Sequence, residues 1–237
     1  MTYAETYAAW QQNPEGFWLN AAKEIEWFKA PERAFDAASG PHGRWFPDAT
    51  CNTCFNALDR HVRDGRGDQA ALIYDSPMAN VKQSYSYAEV LAEVRALAQV
   101  LLDHGVVKGD RVVIYMPMIP QAMFAMLACA RIGAVHSVVF GGFASKELAT
   151  RIEDCTPKVI LAASCGLEPN RVIAYKPLLD EAIALSSFKP SAVIVFQRPQ
   201  LAAALDQPHD HDWAAAVAAV KLAGRGADCA EVKATDP

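Results

Sequence analysis

Residues 112–154 read VVIYMPMIPQAMFAMLACARIGAVHSVVFGGFASKELATRIED. A short apolar run is followed by a helical segment, a second apolar run, a Gly-Gly turn and another helical segment, with almost no residue to spare between them. Strands apolar along their whole length are buried on both faces, and helices placed between them supply the cover and the crossovers. The stretch therefore predicts an α/β fold with a mostly parallel sheet flanked by helices.

The flanking sequence extends the same pattern. Ser86-Tyr87-Ala88-Glu89 is a capping box. The helix it opens carries Val90, Leu91, Val94, Leu97, Ala98, Leu101 and Leu102 at helical spacing, and Gly105 closes it. Lys108-Gly109-Asp110 turns into a strand over 111–115. Pro120 stands in the first turn of a helix over 121–132 that is apolar nearly all round, hence buried. Strands follow over 134–140, 159–163 and 192–196, with helices over 145–155 and 176–185. Beyond Arg198 the text is alanine-rich and yields a loop, then a helix over 213–222. Upstream, residues 52–63 predict a helix with Phe55, Leu58 and Val62 on one face and Gly65 at its end, and 70–74 predict a strand. Residues 1–60 carry Trp10, Trp18, Trp27 and Trp45, a helical pattern through Phe17, Ala21, Ile25 and Phe28, and an irregular stretch from Pro31. Too short for a core of its own, this segment predicts a helical and irregular arm on an α/β domain spanning 61–237.

Composition excludes several function classes. With 52% hydrophobic and 21% charged residues the chain is globular rather than disordered. A net charge of −5 argues against a nucleic-acid partner held by bulk electrostatics. No apolar run is long enough to cross a bilayer, 122–130 being bracketed by Gln121 and Arg131. The opening MTYAETYAAW has an early acidic residue and no secretory core. Six cysteines scattered over 237 residues predict reduced thiols and a cytoplasmic chain. Cys51 and Cys54 have C-x-x-C spacing, but without a second such pair no metal site is expected. His209-Asp210-His211-Asp212 is expected to be a solvated polar loop.

Phe140-Gly141-Gly142-Phe143 joins a strand to a helix. Its glycines either relieve sterics in a tight turn or let the backbone approach an anion at a helix N-terminus. The surrounding text is more specific. Asn52 to His61 (NTCFNALDRH), Tyr85-Ser86-Tyr87-Ala88-Glu89, Lys108-Gly109-Asp110-Arg111-Val112, Tyr115-Met116-Pro117-Met118, 126–134 (MLACARIGA) and 136–143 (HSVVFGGF) resemble the acetyl- and propionyl-CoA synthetases, and so does 175–182 (YKPLLDEA). The resemblance runs over about 3–237, and YKPLLDEA favours the propionyl enzymes.

That resemblance implies the N-terminal part of an adenylate-forming fold. The full-length enzymes use ATP and magnesium to turn a short acid into acyl-AMP with release of pyrophosphate, and the CoA thiol then displaces AMP. It implies CoA contacts at Phe140, Gly141, Gly142 and Arg171. Glu168 stands where the family has a first arginine. No catalytic residue is implied, because these residues include no Ser/Thr/Gly-rich loop ending in lysine to grip ATP phosphates. The expectation is thus an N-terminal fragment, inactive alone and binding no cofactor tightly. Its partners would be CoA and a short carboxylic acid, and apolar faces left uncovered would drive self-association. The alternative is a non-catalytic binding module that retains a remnant of the CoA surface.

Overall fold

The structure, a computed structural model, describes residues 2–142 and 144–237, with Phe140 described in its backbone alone. Helix α1 (Tyr3–Gln12) is opened by a Thr2–Glu5 capping box, and Asn13 caps α2 (Pro14–Ala21). The expected helical pattern through Ile25 and Phe28 stops at Ala21. A single turn leads instead to β1 (Trp27–Lys29), which pairs antiparallel with β4 (Thr50–Cys51). Two side chains cause the change. Trp27 Nε1 donates to the Ala22 carbonyl at 2.7 Å. Asn56 both accepts from Glu26 N–H and donates to Glu26 C=O, each at 2.9 Å, so the backbone there is served as a strand would serve it. Between β1 and β4, β2 (Phe35–Asp36) and β3 (Arg44–Trp45) form a small hairpin. The aromatics of this arm stack mainly on one another: Trp45 lies 5.2 Å from Trp18 and 5.0 Å from Phe35.

The helix expected over 52–63 is present as two wide π-helical turns, Phe55–Asp59 and Val62–Arg66, the second broken at Gly65, whose φ is +79°. Next, β5 (Ala70–Ser76) pairs antiparallel with β6 (Val81–Ser86). Polar Lys-Gln-Ser text concealed β6, which is exposed along most of its length. Helix α3 (Tyr87–Asp103) carries the predicted capping box, with Glu89 N–H donating to Ser86 Oγ and Ser86 N–H to Glu89 Oε2.

The predicted parallel core follows. β7 (Arg111–Met116), α4 (Pro120–Ile132), β8 (Val135–Phe140), α5 (Ser145–Cys155) and β9 (Val159–Ala163) come first. After β9 an antiparallel hairpin intervenes, β10 (Cys165–Glu168) and β11 (Arg171–Ala174). The chain continues through α6 (Tyr175–Leu185), β12 (Ala192–Phe196), β13 (Asp210–Asp212) and α7 (Trp213–Leu222), and β14 (Val232–Lys233) returns to pair with β4. The five core strands lie in the order β13-β12-β9-β7-β8, every pair parallel. Side chains alternate across this sheet with the period of two that a pleated strand imposes. Val112, Ile114, Leu161 and Ile194 pack on one face with α3, α4 and α7, and Val113, Tyr115, Ile160 and Val193 on the other with α5 and α6. No helix of the described residues is long and apolar enough to cross a membrane.

The stretch read as a solvated HDHD loop is instead edge strand β13, because Val193–Val195 offer it a free edge to pair with. Its Asp210 carboxylate is fully buried, 2.8 Å from Lys176 Nζ. Local composition could not reveal that partner, which comes from α6.

Arg131, on α4, is 1% exposed and gives both Nη atoms to Asp59, at 2.7 and 2.9 Å, and Nε to the Ala227 carbonyl at 2.6 Å. Removing one member of such a pair strands a buried charge. Asp59→Ala is expected to cost about 3–5 kcal/mol of unfolding free energy in urea. Asp59→Ala with Arg131→Met should recover most of that loss, since neither charge then remains buried.

Candidate functional site

From β7 the chain crosses through α4 to β8 on one side, then through α5 back to β9 on the other. The strand order therefore reverses between β7 and β9. In open parallel sheets such a switch point leaves a crevice beyond the carboxyl ends of the strands, where ligands bind. Ser164, the residue after β9, organises this edge. Its N–H donates to the Phe196 carbonyl at 2.9 Å, and its carbonyl accepts from Tyr175 N–H at 3.0 Å. Its Oγ accepts from Arg198 N–H at 2.8 Å, while Arg198 Nη1 donates to the Cys165 carbonyl at 3.0 Å. The ends of β9 and β12 and the start of α6 are thereby held together.

Tyr175 joins this edge to the turn after β8. Its ring lies 4.9 Å from that of Tyr115, and its hydroxyl sits between two glycines. A Cβ added to Gly141 would stand 2.3 Å from Tyr175 Oη, and one added to Gly166 would also stand 2.3 Å from it. Neither position takes a larger side chain unless Tyr175 moves. The close approach that Gly141 permits is thus to a tyrosine of its own chain. Gly142 is exposed. Burial pushes the Tyr115 hydroxyl up to about 12 and raises that of Tyr175 as well, so both rings stay neutral at physiological pH.

The backbone of Phe140 ends β8, and Phe143 lies outside the described residues. Arg171 stands opposite Glu168 at the outer end of the β10–β11 hairpin, Nε to Oε2 2.7 Å, with both side chains exposed. The bond to Arg171 lowers the Glu168 pKa. Among the described residues no hydrogen bond engages the two Nη atoms of Arg171, which keep the planar fork that suits a phosphate. The structure therefore gathers Gly141, Gly142 and the hairpin bearing Arg171 along one sheet edge. Sequence reasoning missed the hairpin and Tyr175. Pro169-Asn170 between two short apolar runs was the available turn signal.

Beside this edge a cavity of about 270 Å³ is lined by Ser164, Lys176, Asp180, Asp206 and Gln207 among others. Lys176 is 3% exposed and contacts Asp180 at 2.6 Å as well as Asp210. Burial opposes its charge, but the two carboxylates outweigh burial and hold its pKa above the ordinary lysine value.

Residues 58–236 match the family model described as AMP-binding enzyme, and residues 3–57 match that described as acetyl-coenzyme A synthetase N-terminus. The chain is 50% identical over 212 residues to human acyl-CoA synthetase short-chain family member 3, mitochondrial, covering 89% of this chain and 31% of that protein. It is 42% identical over 210 residues to acetyl-coenzyme A synthetase of Streptomyces coelicolor (89% of this chain, 32% of that protein). It is 40% identical over 214 residues to propionate–CoA ligase of Salmonella typhimurium (90% and 34%). The chain thus spans about a third of the length of these relatives.

The packing of Tyr175 yields a test by double-mutant cycle. Gly141→Ala is expected to cost about 1–3 kcal/mol of stability by overpacking. In a Tyr175→Ala background the same change should cost almost nothing, because the atoms it meets are gone. Equal losses in both backgrounds, read from urea unfolding, would remove Tyr175 as the reason for Gly141.

Proposed function

The chain belongs to the AMP-binding enzymes, and we propose that it forms the CoA-facing portion of a short-chain acyl-CoA synthetase acting on propionate. One observation carries the reading. The turn after β8 and the hairpin after β9, which bear the residues the resemblance assigns to CoA, converge at the carboxyl edge of the sheet beside its switch point. In this reading the exposed Gly142 backbone and the Nη fork of Arg171 receive the phosphate-bearing arm of CoA. The preference for propionate over acetate rests on 175–182, YKPLLDEA. A cytoplasmic location belongs to the same proposal and is supported by six free cysteines, which reducing compartments maintain.

Chemistry on ATP needs groups beyond these residues. In the overall reaction the carboxylate attacks the α-phosphorus of ATP, pyrophosphate leaves, and the CoA thiol then displaces AMP. Stabilising the charge on transferring phosphates calls for preorganised cations and donors. The 237 residues contain no lysine-bearing, hydroxyl-rich phosphate loop. The chain by itself is therefore proposed to bind CoA weakly and to form no acyl-adenylate.

Two measurements test this. Mixed with ATP, magnesium and propionate, the chain should release no pyrophosphate above a buffer control, and release would overturn the reading. In titration calorimetry CoA should bind in the millimolar range, since one charge-assisted contact offsets little of the ordering cost of a large flexible ligand. Arg171→Ala and Gly142→Val should weaken binding further. Glu168→Ala frees Arg171 from its exposed partner and should tighten binding by about two- to five-fold. If all four proteins bind CoA equally, the glycines and Arg171 have no part in it.

A further inference from the structure

Cys54, the residue just before the π-helical turn Phe55–Asp59, is buried, and Cys229 is half-buried in the strap that leads into β14. Their Sγ atoms and a carboxylate oxygen of Asp59 lie within 4.8 Å of one another. Such a cluster suggests a metal at first sight, but a cation already occupies its electrostatic centre. Arg131 holds both Asp59 oxygens and points Nη1 at Cys54 Sγ from 3.5 Å. A divalent ion would have to sit against that fixed guanidinium, which disfavours it.

The same arrangement favours a thiolate. The Cys229 thiol alongside, whose Sγ also donates to Asp59 Oδ2 at 3.8 Å, and the charge of Arg131 together lower the Cys54 pKa against the cost of its burial. Burial pushes Cys51, Cys129 and Cys155 the other way. Oxidation selects low-pKa thiolates that a reagent can reach and that have a second thiol alongside; Cys54 itself is fully buried, so the reagent's way in is past the half-buried Cys229. Closing an S–S bond here requires an approach of at most about 3 Å from the present separation.

We propose that Cys54 and Cys229 are an oxidisable pair, closed to a disulfide by a hydroperoxide entering from the half-exposed Cys229 side. The Cys54 thiolate attacks the peroxide oxygen, the O–O bond breaks, and hydroxide leaves to take up the proton that Cys54 has shed, giving water. Cys229 sulfur then attacks the Cys54 sulfenic sulfur. The S–O bond breaks as the S–S bond forms, and the Cys229 proton departs with the oxygen as water. Two thiols are oxidised by two electrons and one peroxide becomes two waters (for an alkyl hydroperoxide, one water and one alcohol). The bond pins the strap to the segment after β4. That strap is already held by Asn52 Nδ2, 2.8 Å from the Ala230 carbonyl, and by the Ala230 N–H bond to the Arg131 carbonyl at 2.8 Å. A crosslink between positions so far apart in sequence restricts the unfolded chain strongly.

Hydrogen peroxide titration of the wild-type chain, read by intact mass and non-reducing peptide mapping, tests the proposal. The expected result is a loss of about 2 Da and one linked peptide pair containing Cys54 and Cys229. The thermal midpoint should rise by several degrees and return on adding reductant. Cys229→Ser should abolish both changes, and Cys51→Ser should leave both intact. The proposal is wrong if Cys54 and Cys229 remain alkylatable at peroxide levels that oxidise other cysteines. It is equally wrong if either is found linked to a different cysteine. Because mapping uses the unmodified chain, a variant that fails to fold does not rescue it.

Discussion

One buried guanidinium fixes how the ends of this chain meet its middle. Arg131 leaves α4 with its charge almost fully desolvated, a position made tolerable by Asp59, the Ala227 carbonyl and Cys54 Sγ. Beside it the buried Asn52 amide donates to the carbonyls of Ala130, Arg131 and Ala230, at 3.0, 3.0 and 2.8 Å. The segment after β4, the end of α4 and the strap before β14 are thereby joined through buried polar groups. A slip of any of the three would leave donors unsatisfied away from water, which gives this junction its uniqueness.

Against that polar junction, the sheet edge that carries the candidate site is held by shape. Tyr175 has to lie against Tyr115, and two glycines from different elements leave room for it. Gly141 and Gly166 therefore place the β8 turn and the β10–β11 hairpin relative to one another. The glycines are a structural requirement of Tyr175 before they are anything to a ligand. What the edge then presents to solvent is the exposed Gly142 and the Nη fork of Arg171, whose Nε is held by Glu168. Under the proposed CoA reading, such a surface would hold phosphate weakly until Glu168 is displaced or further groups complete it.

The parallel core was legible because its physics is local. Apolar runs such as 112–116 and 159–163 can be satisfied only between two helical layers, and Ser86, Pro120 and Gly105 mark helix ends by their own backbone chemistry. The motif text around these elements likewise carries the family in its residues alone. Elements whose conformation depends on a distant partner were not legible. β1 exists because Asn56 takes both backbone groups of Glu26. β13 exists because β12 has a free edge, and because Lys176 neutralises Asp210.

The candidate site divides along the same line. Sequence alone determined the α/β class, the helix termini, the family and the residue types placed at 140–142 and 171, since each follows from short-range pattern or from motif. Only the tertiary structure decided that Gly141 makes room for Tyr175, that Arg171 is paired with Glu168, and that Cys54 faces Cys229 instead of its near neighbour Cys51. Those facts depend on contacts between residues far apart in the chain, and no local propensity encodes which distant side chain will arrive to satisfy a buried group.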